Sequence, residues 1–213
     1  MILTVFGATG MVGKHIVKNA LALGHNVKAF GRNVESLIDE DLRNENLVSI
    51  KGYVFNEDDV FNAVKGSDAI LSALGGSFDG TDKTRSLGIK NIITQMEKAG
   101  IKRIVALANL GILNADDGTL LMDKPSYPKA FLPVGKEHLQ ACLFLKESNL
   151  DWTIVGSPDI VDAEATGEFI TAADRPPSPN KGKINAGDLA LFMISEAAKN
   201  QYINNRVGIS NTF

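Results

Sequence analysis

The chain has 213 residues, 44% of them hydrophobic and 22% charged, with a formal net charge of −3. That fits one soluble domain with a full core, and it gives neither a general electrostatic pull toward nucleic acid nor a Lys/Arg cluster to supply one locally. Apolar runs are far too short to span a bilayer, the N-terminus leaves no room for a signal peptide, and the single cysteine, Cys142, cannot close an intramolecular disulfide, so a cytoplasmic protein is expected.

Ile2-Leu3-Thr4-Val5-Phe6 reads as a short buried strand, and it runs directly into Gly7-Ala8-Thr9-Gly10-Met11-Val12-Gly13. From His15 to Leu23 a helix follows, with Val12, Ile16, Val17, Ala20 and Leu21 at helical spacing. Strand, glycine turn and helix in that order make a phosphate cradle for a dinucleotide. Gly7 allows the tight turn, Gly10 allows the backbone to approach a pyrophosphate, and Gly13 allows the helix to pack close to the sheet. The helix N-terminus then offers free N–H groups, with Thr9, Met11 and Val12 beside them. The spacing is G-x-x-G-x-x-G.

Asn26–Phe30 reads as the second strand. Its end decides nucleotide preference: an acid would bind the ribose hydroxyls of NAD, a base the 2′-phosphate of NADP. The sequence there is Ala29-Phe30-Gly31-Arg32-Asn33. Arg32 offers a guanidinium suited to a phosphate dianion or to stacking on adenine, and Asn33 can add a hydrogen bond. Asp39 and Glu40 lie too far along to act as the acid, so NADP(H) is expected. A short polar helical stretch around Val34–Ile38 leads to a third strand, Leu47–Lys51. Tyr53 and Val54 follow Gly52 and are candidates to meet the adenine, by stacking and by backbone hydrogen bonds.

Glu57–Val64 reads as a helix and Asp68–Ala73 as the fourth strand. Leu74-Gly75-Gly76 then either lets the chain pass close to the nicotinamide ribose or is a plain turn. Lys83–Ala99 is a long helix stopped by Gly100. Arg103–Leu107 is a fifth strand ending in Ala108-Asn109-Leu110, Val134–Glu147 a helix, and Trp152–Val155 a sixth strand. A last helix, Asp188–Ala198, is expected to be capped by Asp188, and Val207–Ser210 is a possible closing strand. The alternation predicts an α/β doubly wound parallel sheet, one Rossmann-type domain over 1–213, with strand order 3-2-1-4-5-6 and a possible seventh strand. Gly111–Pro133 and Ser157–Lys183 break the rhythm as long, proline-bearing loops after strand ends, and read as substrate walls or lids.

Taken together, the chain resembles an atypical short-chain dehydrogenase/reductase of the NmrA-like group. Within it, the sequence is most similar to the biliverdin-IXβ reductase/flavin reductase (NADPH) family. The resemblance rests on Phe6-Gly7-Ala8-Thr9-Gly10, Gly31-Arg32, Asn91-Ile92-Ile93, Arg103-Ile104-Val105-Ala106, Leu145-Lys146-Glu147-Ser148-Asn149-Leu150, Ser157-Pro158-Asp159-Ile160 and Gly187-Asp188-Leu189-Ala190. It implies NADPH-dependent hydride transfer to a planar conjugated acceptor: a flavin, a quinone or a linear tetrapyrrole. It also implies a monomer or weak homo-oligomer.

The chain departs from the general short-chain dehydrogenase pattern. No Tyr-x-x-x-Lys occurs, and Tyr127 has Phe131 four residues on, which excludes an ordinary alcohol dehydrogenase. Epimerase-like chemistry, which uses the same dyad and a larger C-terminal domain, is disfavoured on the same ground. Asn109 stands where the resembling family has a serine, and is a candidate to hydrogen-bond the nicotinamide or the acceptor. Ala108, beside it, is a candidate cofactor contact. His138 matches a family histidine and is a candidate to contact the ribose or protonate an acceptor near neutral pH. Cys142, one helical turn later, reads as a small buried residue, and His15 and His25 as surface residues. Gly156 replaces a usual arginine and is expected to open space near the nicotinamide. The histidines and cysteine have no metal-ligand spacing, and no nucleophile–base triad is visible. The alternative function is a non-catalytic NADP(H)-binding redox sensor.

Overall fold

β1 (Ile2–Phe6) is buried along almost its whole length, as a central parallel strand covered on both faces must be. The computed structural model describes residues 1–35 and 44–213. After β1 come α1 (Met11–Ala22), β2 (Asn26–Gly31), β3 (Leu47–Lys51), α2 (Glu57–Val64), β4 (Ala69–Ser72), α3 (Thr84–Ala99) and β5 (Arg103–Asn109). Then follow α4 (Leu132–Lys146), β6 (Asp151–Ser157), β7 (Asp159–Val161), β8 (Phe169–Ala173), β9 (Lys183–Asn185), α5 (Ala186–Lys199) and β10 (Asn205–Asn211). The main sheet has eight strands in the order β3-β2-β1-β4-β5-β6-β10-β8. The expected order 3-2-1-4-5-6 is therefore present, and the closing strand pairs in parallel with β6.

Alternating side chains divide the core into two layers. Leu3, Val5, Val105 and Val207 face α1 and α5, which contribute Ile16, Val17, Leu189 and Met193. Phe6, Ile70, Ile104 and Ile154 face α2, α3 and α4, which contribute Val60, Ile92, Met96 and Leu145. Gly100 ends α3 in the left-handed region, at φ +72°. The polar helical stretch expected around Val34–Ile38 lies, past Glu35, outside the described residues, as do Asp39 and Glu40.

Three expectations are corrected. Ser157–Lys183 is not one irregular loop: β7 pairs in parallel with β9 as a small second sheet, and β8 runs antiparallel to β10 at the edge of the main one. These strands are three to five residues long and interrupted by Pro176, Pro177 and Pro179, so no run shows a strand period. Asp188 does not cap α5, whose N-cap is Asn185. Fully buried instead, Asp188 accepts from the Thr166 and Gly167 amides, the Thr166 hydroxyl and the Asn211 amide, at 2.7–2.9 Å. It thus ties the segment before β8 to the end of β10. His15 is buried, not on the surface, and its Nε2 meets Asp162 Oδ1 at 3.0 Å.

Candidate functional site

The turn after β1 is built from the contacts its glycines permit. Gly7 has φ +77°, and a Cβ there would stand 2.3 Å from the Ala73 carbonyl oxygen beyond β4. A Cβ on Gly13 would stand 2.0 Å from the Gly7 carbonyl oxygen, so only glycine lets α1 press against the end of β1. Gly10 is the N-cap of α1 and has no side chain to spend on the first-turn N–H groups of Met11 and Val12. Those donors and the helix dipole suit a phosphate. Met11 is half exposed beside them, while Val12 packs inward.

The end of β2 lies against this turn, since a Cβ on Gly31 would be 3.9 Å from Thr9 Cγ2. That brings Arg32, exposed, to the rim of the cradle, with Asn33 next to it. Gly52 gives way to the Phe30 ring, where a Cβ would be 2.6 Å away. Beyond it, Tyr53 is 60% exposed and its N–H donates to Asp59 Oδ2 at 2.9 Å. The Val54 carbonyl already accepts from Asn91 Nδ2 at 2.8 Å. Of the two, Tyr53 therefore presents the freer surface.

Leu74 and Gly75 leave the end of β4 beside the Gly7 turn. Gly75 opens on empty space, with nothing within 4 Å of a Cβ position. Gly76 is held from behind: Arg85, 7% exposed, donates to the carbonyls of Gly76 and Ser77 at 2.8 Å each and lies 5.7 Å from the centroid of the Phe78 ring. The strip is a fixed rail along the strand ends.

Behind that rail, Leu74, Arg85, Ala108, His138 and Cys142 line a cavity of about 10 Å³, room for about one water. Burial first, and the Arg85 guanidinium second, push the His138 imidazole down from 6.5 to about 3. An imidazolium ready to protonate an acceptor near neutral pH is therefore not present, contrary to the expectation. Burial likewise pushes the Cys142 thiol up, in keeping with a small packed residue rather than a thiolate.

The low His138 value has a consequence for stability. Below pH 6.5 the unfolded chain binds a proton at this ring that the folded chain refuses until about 3, so stability is lost as pH falls through that window. At pH 5 the loss relative to pH 7 is about 2 kcal/mol. Urea unfolding of His138→Gln should show a flatter dependence over that range. Parallel wild-type and variant curves would mean that the native imidazole is charged or solvated.

Asn109 closes β5 and turns the chain. Its Oδ1 accepts from the Gly111 N–H at 3.2 Å and its Nδ2 donates to the Tyr127 hydroxyl at 3.0 Å. Tyr127 comes from the long segment after β5, which forms three short 3-10 turns at Leu110–Ile112, Leu121–Asp123 and Lys129–Phe131. Contrary to the expectation, Gly156 opens no space: a Cβ there would lie 2.7–3.0 Å from the Leu113 side chain, which fills the volume. The structure thus gathers Gly7–Gly13, Arg32, Leu74–Gly75, Ala108 and Asn109 along the carboxyl ends of β1, β2, β4 and β5, where doubly wound sheets bind ligands. No local sequence pattern marks Arg85 or Tyr127 as part of the site. Among the described residues no three His, Cys, Asp or Glu side chains group as a metal site, and no helix is long and apolar enough to cross a membrane.

Comparison with known proteins agrees with this geometry. An uncharacterized Bacillus subtilis protein, YwnB, is 25% identical over 213 residues, covering 95% of this chain and 94% of its own. A Streptococcus pneumoniae crystal structure, provisionally named an NADH-flavin reductase, is 28% identical with a TM-score of 0.83 and covers 100% of both chains. A Bacteroides thetaiotaomicron structure, provisionally named an epimerase, is also 28% identical at TM-score 0.83, covering 99% of this chain and 96% of that one. The model of the NAD(P)H-binding family matches residues 7–200, from the first glycine of the cradle to the end of the last helix, and the chain belongs to that family.

Proposed function

We propose that the protein is an NADPH-dependent reductase that passes hydride to a planar conjugated acceptor: a flavin, a quinone or a linear tetrapyrrole. The observation that carries this reading is the line of cradle, Arg32 and the Leu74–Gly75 rail along one edge of the sheet. That line suits a dinucleotide stretched from α1 toward the end of β5. The name borne by the Streptococcus pneumoniae neighbour and the resemblance to the biliverdin-IXβ and flavin reductases support the choice of acceptor. The finer cofactor preference rests on Arg32, an exposed guanidinium at the rim with no ion pair among the described residues. When bound, the reduced nicotinamide supplies the hydride; the residues bind, orient and exclude water. In this reading Gly7, Thr9, Gly10, Met11, Val12 and Gly13 hold the pyrophosphate, Arg32 and Asn33 the 2′-phosphate, Tyr53 and Val54 the adenine side, and Leu74, Gly75 and Ala108 the nicotinamide ribose. His138, neutral, packs behind them, and Asn109 stands at the acceptor side. The reaction needs only a small-molecule acceptor; neither a nucleic acid nor a membrane takes part.

The test is steady-state NADPH consumption with FMN or a small benzoquinone, with NADH in parallel. Saturable turnover preferring NADPH is expected. Arg32→Ala should weaken NADPH binding by about 1–3 kcal/mol, the worth of a charge-assisted hydrogen bond, and leave NADH binding nearly unchanged. Equal losses for the two cofactors would remove the 2′-phosphate assignment. Tight NADPH binding without turnover on any acceptor would replace the reductase with a redox sensor.

A further inference from the structure

We propose that Tyr127 is the proton donor to a carbonyl-bearing acceptor, an enone or quinone, and that Asn109 is the residue that positions it. The inference rests on the reductase reading and narrows its acceptor class. Its first support is the identity of the atoms facing each other. Which end of an asparagine amide is nitrogen must be read from its partners. Here the Gly111 N–H, at 3.2 Å, can be met only by the amide oxygen. The atom 3.0 Å from the Tyr127 hydroxyl is therefore Nδ2, and the amide donates while the phenol oxygen accepts. The phenol's own proton is not used in that bond and is left for another acceptor.

The second support is the fixed seat of the hydroxyl. A Cβ on Gly111 would stand 2.7 Å from it, and one on Gly135, in the first turn of α4, 3.4 Å. The phenol oxygen thus rests in a slot between two bare backbones, and any larger residue on Gly111 would expel it. The third support is location. From the Gly7 turn the strand ends run to Ala73 and Leu74, across to Ala108, and on to Asn109, which carries the phenol. A dinucleotide whose phosphates sit on α1 reaches this end with its nicotinamide. His138 does not compete for the role, since it is neutral in its cavity. Burial pushes the Tyr127 phenol pKa up and the Asn109 hydrogen bond opposes that rise, so the amide does part of what a lysine does beside the tyrosine of ordinary short-chain dehydrogenases.

The step balances with the reduced nicotinamide as reductant. Hydride adds to the β carbon, the C=C π pair shifts to make a double bond to the carbonyl carbon, the carbonyl π pair moves to oxygen, and the O–H bond of Tyr127 breaks as its proton passes to that oxygen, leaving an enol. The phenolate then takes a proton from water. A flavin depends less on such a donor, because its reduced ring can remain anionic.

Two measurements on purified wild type, Tyr127→Phe and Asn109→Ala test this. The first is ultraviolet titration of tyrosinate, taken as wild type minus Tyr127→Phe so that Tyr127 alone is read. Asn109→Ala should raise that midpoint by about half a unit to one unit, the extra worth of that hydrogen bond once the phenol is ionised. An unmoved midpoint overturns the positioning role without any appeal to turnover. The second is NADPH oxidation by a small benzoquinone and by FMN. Tyr127→Phe should lower kcat for the quinone by about 100-fold, the low end for general acid catalysis, with a much smaller change in KM. The loss with FMN should be at least tenfold less. Asn109→Ala should show the same preference for the quinone in milder form. A Tyr127→Phe protein that reduces the quinone at the wild-type rate overturns the inference alone, as does a wild type that reduces FMN and no quinone. A wild type that reduces neither overturns the reductase reading and this inference with it.

Discussion

Replacing Gly13 by alanine should both destabilise the protein and empty its cofactor site. Two effects oppose each other. Alanine favours a helix over glycine by about 0.8–1.0 kcal/mol. Against that, the new Cβ would lie 2.0 Å from the Gly7 carbonyl oxygen and 2.8 Å from the Ala8 Cα. Both are backbone atoms, so no rotamer change relieves the overlap, and α1 must lift from the end of β1. Overpacking of this kind costs about 1–3 kcal/mol and occasionally more, and the unyielding partner puts Gly13 at the upper end. The net loss is then about 2 kcal/mol, a fall in Tm of about 4–8 °C for a chain of this size. Because the same movement displaces the N–H groups of Met11 and Val12, NADPH affinity should fall at least tenfold, about 1.4 kcal/mol. Gly75→Ala separates the two effects. Nothing lies within 4 Å of its Cβ position, so Tm should stay put while cofactor affinity falls, if the rail runs against the dinucleotide. Calorimetry and NADPH fluorescence titration on both variants read this directly. A Gly13→Ala protein with wild-type Tm would mean that α1 has room to move.

The glycine turn was legible because its chemistry is local. Seven consecutive residues between a strand pattern and a helix pattern state both the bend and the donors, and the structure returns Leu47–Lys51 and Glu57–Val64 with the expected bounds. What was not legible depends on residues far apart in the chain. The sequence offers His138 as a ribose contact or as a proton donor near neutral pH, but its environment is set by Arg85 from another helix and by a cavity no local pattern reveals. Gly156 suggested space because glycine lacks a side chain; Leu113, from the segment after β5, occupies it.

Asn109 and Tyr127 are 18 residues apart. The absence of a lysine four residues after Tyr127 is a true statement about sequence. It does not bear on the donor that the fold brings from the end of β5. The glycines could have given a hint, since Gly111 and Gly135 flank the loop that carries Tyr127, but only a structure says which side chain each makes room for. The two short strands β7 and β9 fail for a related reason. Three residues each cannot express a period, and their pairing is fixed by tertiary contact.

Removing the carboxylate of Glu196 should be the most damaging single change away from the site. Arg103 opens β5 with its guanidinium buried beside the sheet, 6% exposed, and Glu196 in α5 is 2% exposed. Arg103 Nη2 lies 2.7 Å from Glu196 Oε1 and also donates to Thr153 Oγ1 and to the Glu196 backbone carbonyl, at 2.9 Å each. The carboxylate accepts in turn from the Tyr202 and Gln201 amides, at 2.8 and 3.2 Å, which fix the turn between α5 and β10. A buried pair of this kind adds little net stability over well-packed apolar residues, because desolvation offsets attraction. Breaking it is another matter: Glu196→Ala leaves a guanidinium uncompensated in the core and two amides without their acceptor. The expected loss is about 3–5 kcal/mol, which for a domain whose whole stability is about 5–15 kcal/mol leaves little in reserve. The double variant Arg103→Met with Glu196→Leu should recover part of that loss, since it removes both charges together. Urea unfolding of the single and double variants decides the matter. If Glu196→Ala costs under about 1 kcal/mol, the range of an exposed pair, the guanidinium reaches water in the native state. The join between α5 and β5 would then rest on apolar contacts and on the bond from Arg103 to the Glu196 backbone carbonyl.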